Sequence, residues 1–292
     1  MNLRFPIAIL ALLGLSGCDY VQSLFTPKPD IKFASYGANY QEKPDFAAIE
    51  HSFPLTTTEL EKITPRYLST LDQEQIDQIY ARLTAGPIPD GAFDGDLFFP
   101  RGGSGKLRLS EIAGGLPGLV VQLKGKKLDL IGETLWKGKV FYRNDRVLRN
   151  RIEDLNLLRT MGLVEAEPQK IDLKGKDAWL LFPAKLYCGQ SLMDSRRESI
   201  IIDYAFTDEI DGYMEKPDFL AGRRGFKVRD EIRMVRPGFY LGRAYLDRIF
   251  ILNFTLVNDE IAAKEGPAFT KTGQSQEDCW TGTQARKVMA AQ

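Results

Sequence analysis

Two aspartates and an arginine interrupt otherwise apolar, alternating segments in the last third of the 292-residue chain, and these are its residues best suited to chemistry. Within 226–235, Phe226, Val228, Asp230, Ile232 and Met234 share one face at a period of two; within 239–246, Phe239, Leu241, Arg243 and Tyr245 do the same. Asp203 lies on one face with Ile201, and Asn253 shares a face with Ile251, Thr255 and Val257. A charge set into an apolar face is costly unless paired, so Arg243 is expected to meet Asp230 or Asp203. Three chemistries follow. The pair can be a buried ion pair that fixes strand register. It can line a cavity in which Arg243 holds an anionic head group, with Asp203, Asp230, Tyr245 and Asn253 as further ligand-binding candidates and apolar walls for a tail. Finally, Asp203 and Asp230 can serve as acid and base of a carboxylate-dependent hydrolase, which demands environments different enough to keep one protonated and the other ionised.

Other chemistries find less support. His51 is the only histidine, so a Ser-His-Asp triad would have to use it, and no Gly-x-Ser-x-Gly elbow supplies the nucleophile. A single histidine excludes a His-rich zinc site, and neither metal nor cofactor is expected. The run Arg101-Gly-Gly-Ser-Gly-Lys106 resembles a phosphate loop, but Pro100 stands where the first glycine is needed and Leu107 where Ser or Thr is needed. It reads as a hairpin turn.

The elements that must position these residues are mostly strands. Alternating or apolar segments bounded by turn residues occur at 93–99, 106–112, 139–142, 147–152, 169–173, 178–187, 198–206, 226–235, 239–246 and 249–257. About ten strands with short links predict a mainly β fold with small α additions, an antiparallel barrel whose closure removes unpaired edges. Residues 226–246, FKVRDEIRMVRPGFYLGRAYL, resemble paired strands of calycin-type barrels. The lipocalin Gly-x-Trp signature is absent, since Trp136-Lys137-Gly138 has Thr134 where the motif wants glycine, and no lipocalin ligand residue is carried over. Ahead of the barrel, Thr56 with Glu59 and Asp72 with Gln75 form capping pairs, and Ile76, Ile79, Tyr80 and Leu83 follow at helical spacing. Two short helices joined at Pro65 are expected there, with others at 127–136 and 155–161.

The first eighteen residues, MNLRFPIAILALLGLSGC, combine a basic start at Arg4, an apolar run over 7–15 and Leu15-Ser16-Gly17 immediately before Cys18. The apolar run is too short to cross a ~30 Å hydrocarbon layer as a permanent helix. This arrangement resembles the lipobox of bacterial lipoproteins. The resemblance implies cleavage before Cys18, a diacylglycerol on its sulfur and an acyl chain on its new amine. Such a product is anchored to a membrane without spanning it. Asp19 resembles the enterobacterial signal for retention in the inner membrane, on the periplasmic face. The expected organisation is a signal at 1–17, an acylated cysteine and flexible tether at 18–52, a helical segment at 53–86, the barrel at 87–258 and an irregular tail at 259–292.

Export would leave Cys188 and Cys279 in a compartment where disulfides persist, and they are the natural partners. Removing residues 1–17 takes one basic residue, Arg4, from a chain with 39 basic and 39 acidic side chains, leaving a net charge of −1. That balance gives no electrostatic footprint for nucleic acid. The expected function is an envelope lipoprotein whose barrel binds an amphipathic small molecule or lipid. The alternative is a non-enzymatic assembly or scaffold component with an envelope protein as partner.

Overall fold

The computed structural model describes residues 27–36, 44–102, 136–173 and 175–282. Cys18, Asp19, the signal segment, the strand expected at 106–112 and all but the last residue of the helix expected at 127–136 lie outside them.

Alternating sequence becomes strand throughout the described barrel. The strands are β1 (Gly91–Phe98), β2 (Trp136–Tyr142), β3 (Val147–Ile152), β4 (Lys170–Leu173), β5 (Lys176–Gln190), β6 (Glu198–Asp203), β7 (Val228–Arg236), β8 (Phe239–Leu246) and β9 (Ile249–Val257). They run in the order β3-β2-β1-β9-β8-β7-β6-β5, every pair antiparallel, and β3 pairs back onto β5. Eight strands therefore close into a barrel, and β4 is a ninth strand hydrogen-bonded to β5 alone. Nine strands stand among the described residues where about ten were expected. The tight turn from β7 to β8 depends on Gly238, whose φ is 74° and whose missing Cβ would lie 2.5 Å from the Asn258 carbonyl oxygen.

Both faces of the barrel are buried over part of its circumference. The lumen holds Phe93, Phe141, Ile200, Ile202, Ile232, Tyr240, Phe254 and Leu256. Phe93 meets Phe141 and Tyr240 edge-on, with centroids 5.4 and 5.8 Å apart. Gly242 leaves room for the Phe254 ring, where a Cβ would lie 2.2 Å from a ring carbon. The outer surface of β7 and β8 contributes Val235, Phe239 and Leu241 to a second core, against Ile63, Leu68, Ile76, Ile79 and Tyr80 of a helical layer.

Among the described residues that layer has four helices, α1 (Phe46–Ser52), α2 (Thr57–Lys62), α3 (Pro65–Thr70) and α4 (Gln73–Arg82), so three stand within 53–86 where two were expected and α1 lies in the segment expected as tether. Thr56 and Glu59 close a capping box on α2, Gln75 accepts from the Asp72 amide at the start of α4, and Pro65 is the first residue of α3. The segment expected as tether is partly structured. Asp45 caps α1, and Glu50 of that helix is buried against Arg196 and Arg197. Earlier still, Ile31 joins the second core, and the Gln78 amide donates to the Ala34 carbonyl and accepts from its N–H, both at 2.8 Å.

Short helices α5 (Asn156–Thr160) and α6 (Glu215–Asp218) follow β3 and β6, and the C-terminal region departs from the irregular tail expected of it. Helix α7 (Asp259–Thr272) starts at the Asn258 cap, carries Asp259 and Glu260 in its first turn and ends on Gly273 at φ 64°. Its internal Pro267 and few apolar residues hide the helical period, and Phe269 is its one buried side chain.

Candidate functional site

The period of two assigned shared faces correctly, but the faces of β7 and β8 that carry Asp230 and Arg243 point in opposite directions. Asp230 stands opposite Ala244, and Arg243 stands opposite Glu231. Asp230 enters the lumen with Ile232 and Met234; Arg243 points outward beneath the helical layer. The expected pairing of Arg243 with Asp230 or Asp203 is thereby corrected. Asp203 faces outward from β6, accepting from the Tyr187 hydroxyl and the Ala205 N–H, both at 2.8 Å. Asp203 and Asp230 sit on opposite sides of the barrel wall, so they do not form an acid–base pair.

Arg243 instead pairs with Asp77 of α4 at 2.5 Å. Its Nε donates to the Tyr245 hydroxyl at 3.0 Å, and its guanidinium lies 4.2 Å from the Phe250 ring centroid. Burial works to lower the pKa of Arg243, but Tyr245 and Asp77 outweigh it and hold the guanidinium above its ordinary range. Gln73 links this pair to Asn253, donating to Asp77 at 2.7 Å and accepting from Asn253 Nδ2 at 2.6 Å. Arg243, Tyr245 and Asn253 are thus brought together, as the sequence suggested, but on the outer face and with a helix as their partner. Beside them, buried Arg233 donates to Ser199, Asp194 and the carbonyls of Tyr80, Asp194 and Arg197.

Asp230 meets a residue that sequence reasoning missed. Lys139, projecting inward from β2, donates to Asp230 Oδ2 at 3.0 Å, to the Tyr204 hydroxyl at 2.6 Å and to Asn150 Oδ1 at 2.9 Å. Those bonds use all three ammonium hydrogens. The rings of Trp136, Tyr204 and Phe254 surround Lys139 with centroids 5.3–5.4 Å from its nitrogen. Trp136 Nε1 donates to Asn150 at 2.8 Å, and the Tyr204 hydroxyl donates to Asp230 at 3.2 Å. Burial lowers the pKa of Lys139 against the opposing pull of Asp230, and burial followed by Asp230 raises that of Tyr204. A desolvated lysine of this kind has the makings of a nucleophile or base, but here every donor is committed. The signal that could have found it is phase: Lys139 alternates with Phe141, a residue of lumen type.

The cluster lies toward the end of the barrel where β2, β7 and β9 begin. Half-buried Leu97, Trp136, Phe182, Val228, Ala244 and Leu252 pack there against the lumen core.

Cys188 and Cys279 form a disulfide with Cα atoms 5.4 Å apart. It fastens the segment after α7, where Asp278 accepts from the Ile88 N–H at 2.8 Å and Trp280 exchanges backbone-directed bonds with Glu198. Cys188, Cys279 and Glu198 are the trio of metal-donor type gathered within 4.8 Å among the described residues, and the disulfide occupies both sulfurs. His51 is exposed in the last turn of α1.

No protein-family model matches the chain, and no curated protein matches it. A solved structure described as a protein from Thermomonospora curvata is similar at a TM-score of 0.32 and 17% identity, covering 64% of this chain and 88% of that one. A likeness at that level carries no argument about this chain.

Proposed function

We propose that this chain is a lipid-anchored envelope protein, acylated at Cys18 and held at the periplasmic face of the inner membrane, whose calycin-like barrel is a packed platform for assembly with an envelope protein. The anchor rests on Leu15-Ser16-Gly17-Cys18 and the inner-membrane address on Asp19. The platform role rests on one observation: the polar groups facing the lumen bind one another. Lys139, Asn150, Tyr204 and Asp230 are mutually hydrogen-bonded among aromatic rings, so a ligand head group would have to displace bonds already made. Arg243, the expected head-group reader, is likewise committed to Asp77.

The amphiphile-binding reading keeps one specific support, the half-buried apolar rim around Leu97, Trp136 and Leu252 at one end of the barrel. Two measurements test the proposal. Labelling cells with a fatty-acid analogue should mark the wild type and leave Cys18→Ser unmarked; equal labelling defeats the anchor. Native mass spectrometry of detergent-extracted protein should find the chain free of small molecules and joined to a protein partner. A stoichiometric lipid would replace the platform reading with the binding one.

A further inference from the structure

The described chain is already docked eleven residues after Cys18, and this keeps the far side of the domain from meeting the membrane. Pro29 and Ile31 are buried, Ile31 joins the core between the helical layer and the outer face of β7 and β8, and the Gln78 amide of α4 holds the backbone of Ala34 through two bonds of 2.8 Å. Whatever the conformation between Cys18 and Pro29, eleven residues span at most roughly 40 Å. A domain of this size is roughly 45–50 Å across, taking it as a sphere with the usual radius of gyration. Turning its far side to the bilayer would require the connection to run half-way round the surface, roughly 70 Å on the same estimate. The chain falls well short.

We infer that the side of the domain that carries Pro29 and the helical layer, and not the side opposite it, is turned to the headgroup surface of the membrane that holds the anchor. This rests on the acylation of Cys18 proposed above. The barrel wall opposite β8 in the ring of eight strands is β3. That wall, with β4, β5 and α5, faces away from the membrane. Met161, just after α5, is 61% exposed there.

The test uses the full chain, expressed with its signal and reconstituted into phosphatidylethanolamine–phosphatidylglycerol vesicles carrying an acceptor dye on a lipid. A donor dye is attached at Glu61→Cys on α2 or at Met161→Cys on the far side, with the native disulfide kept intact. Energy transfer from position 61 should exceed that from position 161 at least two-fold. Inserting about 20 Gly-Ser residues between Thr26 and Pro27 should bring the two toward equality, because the reach then exceeds the half-circumference. Equal or reversed transfer in protein whose mass shows an acylated Cys18 overturns the orientation and leaves the anchor standing. A mass without acyl chains overturns both.

Discussion

Lys139–Asp230 inside the barrel wall and Arg243–Asp77 outside it are both buried ion pairs, and they do different structural work. Inside, Lys139 and Asp230 draw their partners from the barrel itself: Asn150 on β3 and Tyr204 just past β6 join β2 to β7 across the lumen. Outside, Arg243 and Asp77 join a strand to a helix, and Gln73 with Asn253 repeats the same connection one step away. The inner pair ties the barrel to itself; the outer pair ties the helical layer to the barrel. The contrast shows why a charged residue in an apolar stripe is poor evidence for a ligand. Either face of a closed sheet can be buried, and a charge on it is as readily answered by a covering helix as by a bound molecule.

The comparison can be broken most forcefully from the inside. Lys139→Met should destabilise the fold by about 4–5 kcal/mol, because it leaves the Asp230 carboxylate buried with Tyr204 alone to donate to it among the described residues. Replacing both partners, Lys139→Met with Asp230→Leu, should recover much of that loss. Denaturant melts of the two variants decide the matter, and a double variant no better than the single one would mean that the cluster does more than satisfy itself.

A smaller effect is expected outside. Arg243→Met should cost about 3 kcal/mol, since Gln73 continues to donate to Asp77. The loss should also be local. Hydrogen exchange should quicken in α4 while the amides of β7 and β8 keep their protection. Uniform quickening across the barrel would erase the distinction between the two pairs.

The smallest effect separates them by pH. Burial depresses the pKa of Lys139 in the folded protein below its unfolded value near 10.5. Between those two values the unfolded chain binds more protons, so this group's contribution to stability rises with pH, by at most about 1.4 kcal/mol per pH unit. Arg243 is held above its ordinary range and stays charged throughout. The stability gap between wild type and Lys139→Met should therefore widen from neutral pH toward pH 10, while the gap to Arg243→Met stays flat. Two flat gaps would place the Lys139 titration outside this window.

Much of the fold was legible because it is written in local rules. The strands at 147–152, 239–246 and 249–257 coincide with β3, β8 and β9, since alternation and hairpin residues act over a few positions. The capping residues Thr56, Glu59, Asp72 and Gln75 announced α2 and α4 for the same reason. Cys188 and Cys279 could be paired by arithmetic alone. Helix α7 escaped because one buried side chain, Phe269, makes no periodic stripe, and α1 because its two buried residues, Ile49 and Glu50, are adjacent and one of them is charged.

The site was legible only by half. Sequence determined that Phe239, Leu241, Arg243 and Tyr245 share a face, because strand geometry turns each side chain over with respect to the last. It could not determine which face was inside, because both faces of β7 and β8 are buried: one lines the lumen, and the other, which includes Glu231 and Arg233 beside Leu241 and Phe239, lies under the helices. Nor could it assign the partners, since Asp77 lies 166 residues from Arg243 and Lys139 lies 91 residues from Asp230. Closing the barrel and laying the helices across it made those choices, because an ion pair forms between groups that folding brings within a few ångströms and is indifferent to their separation along the chain.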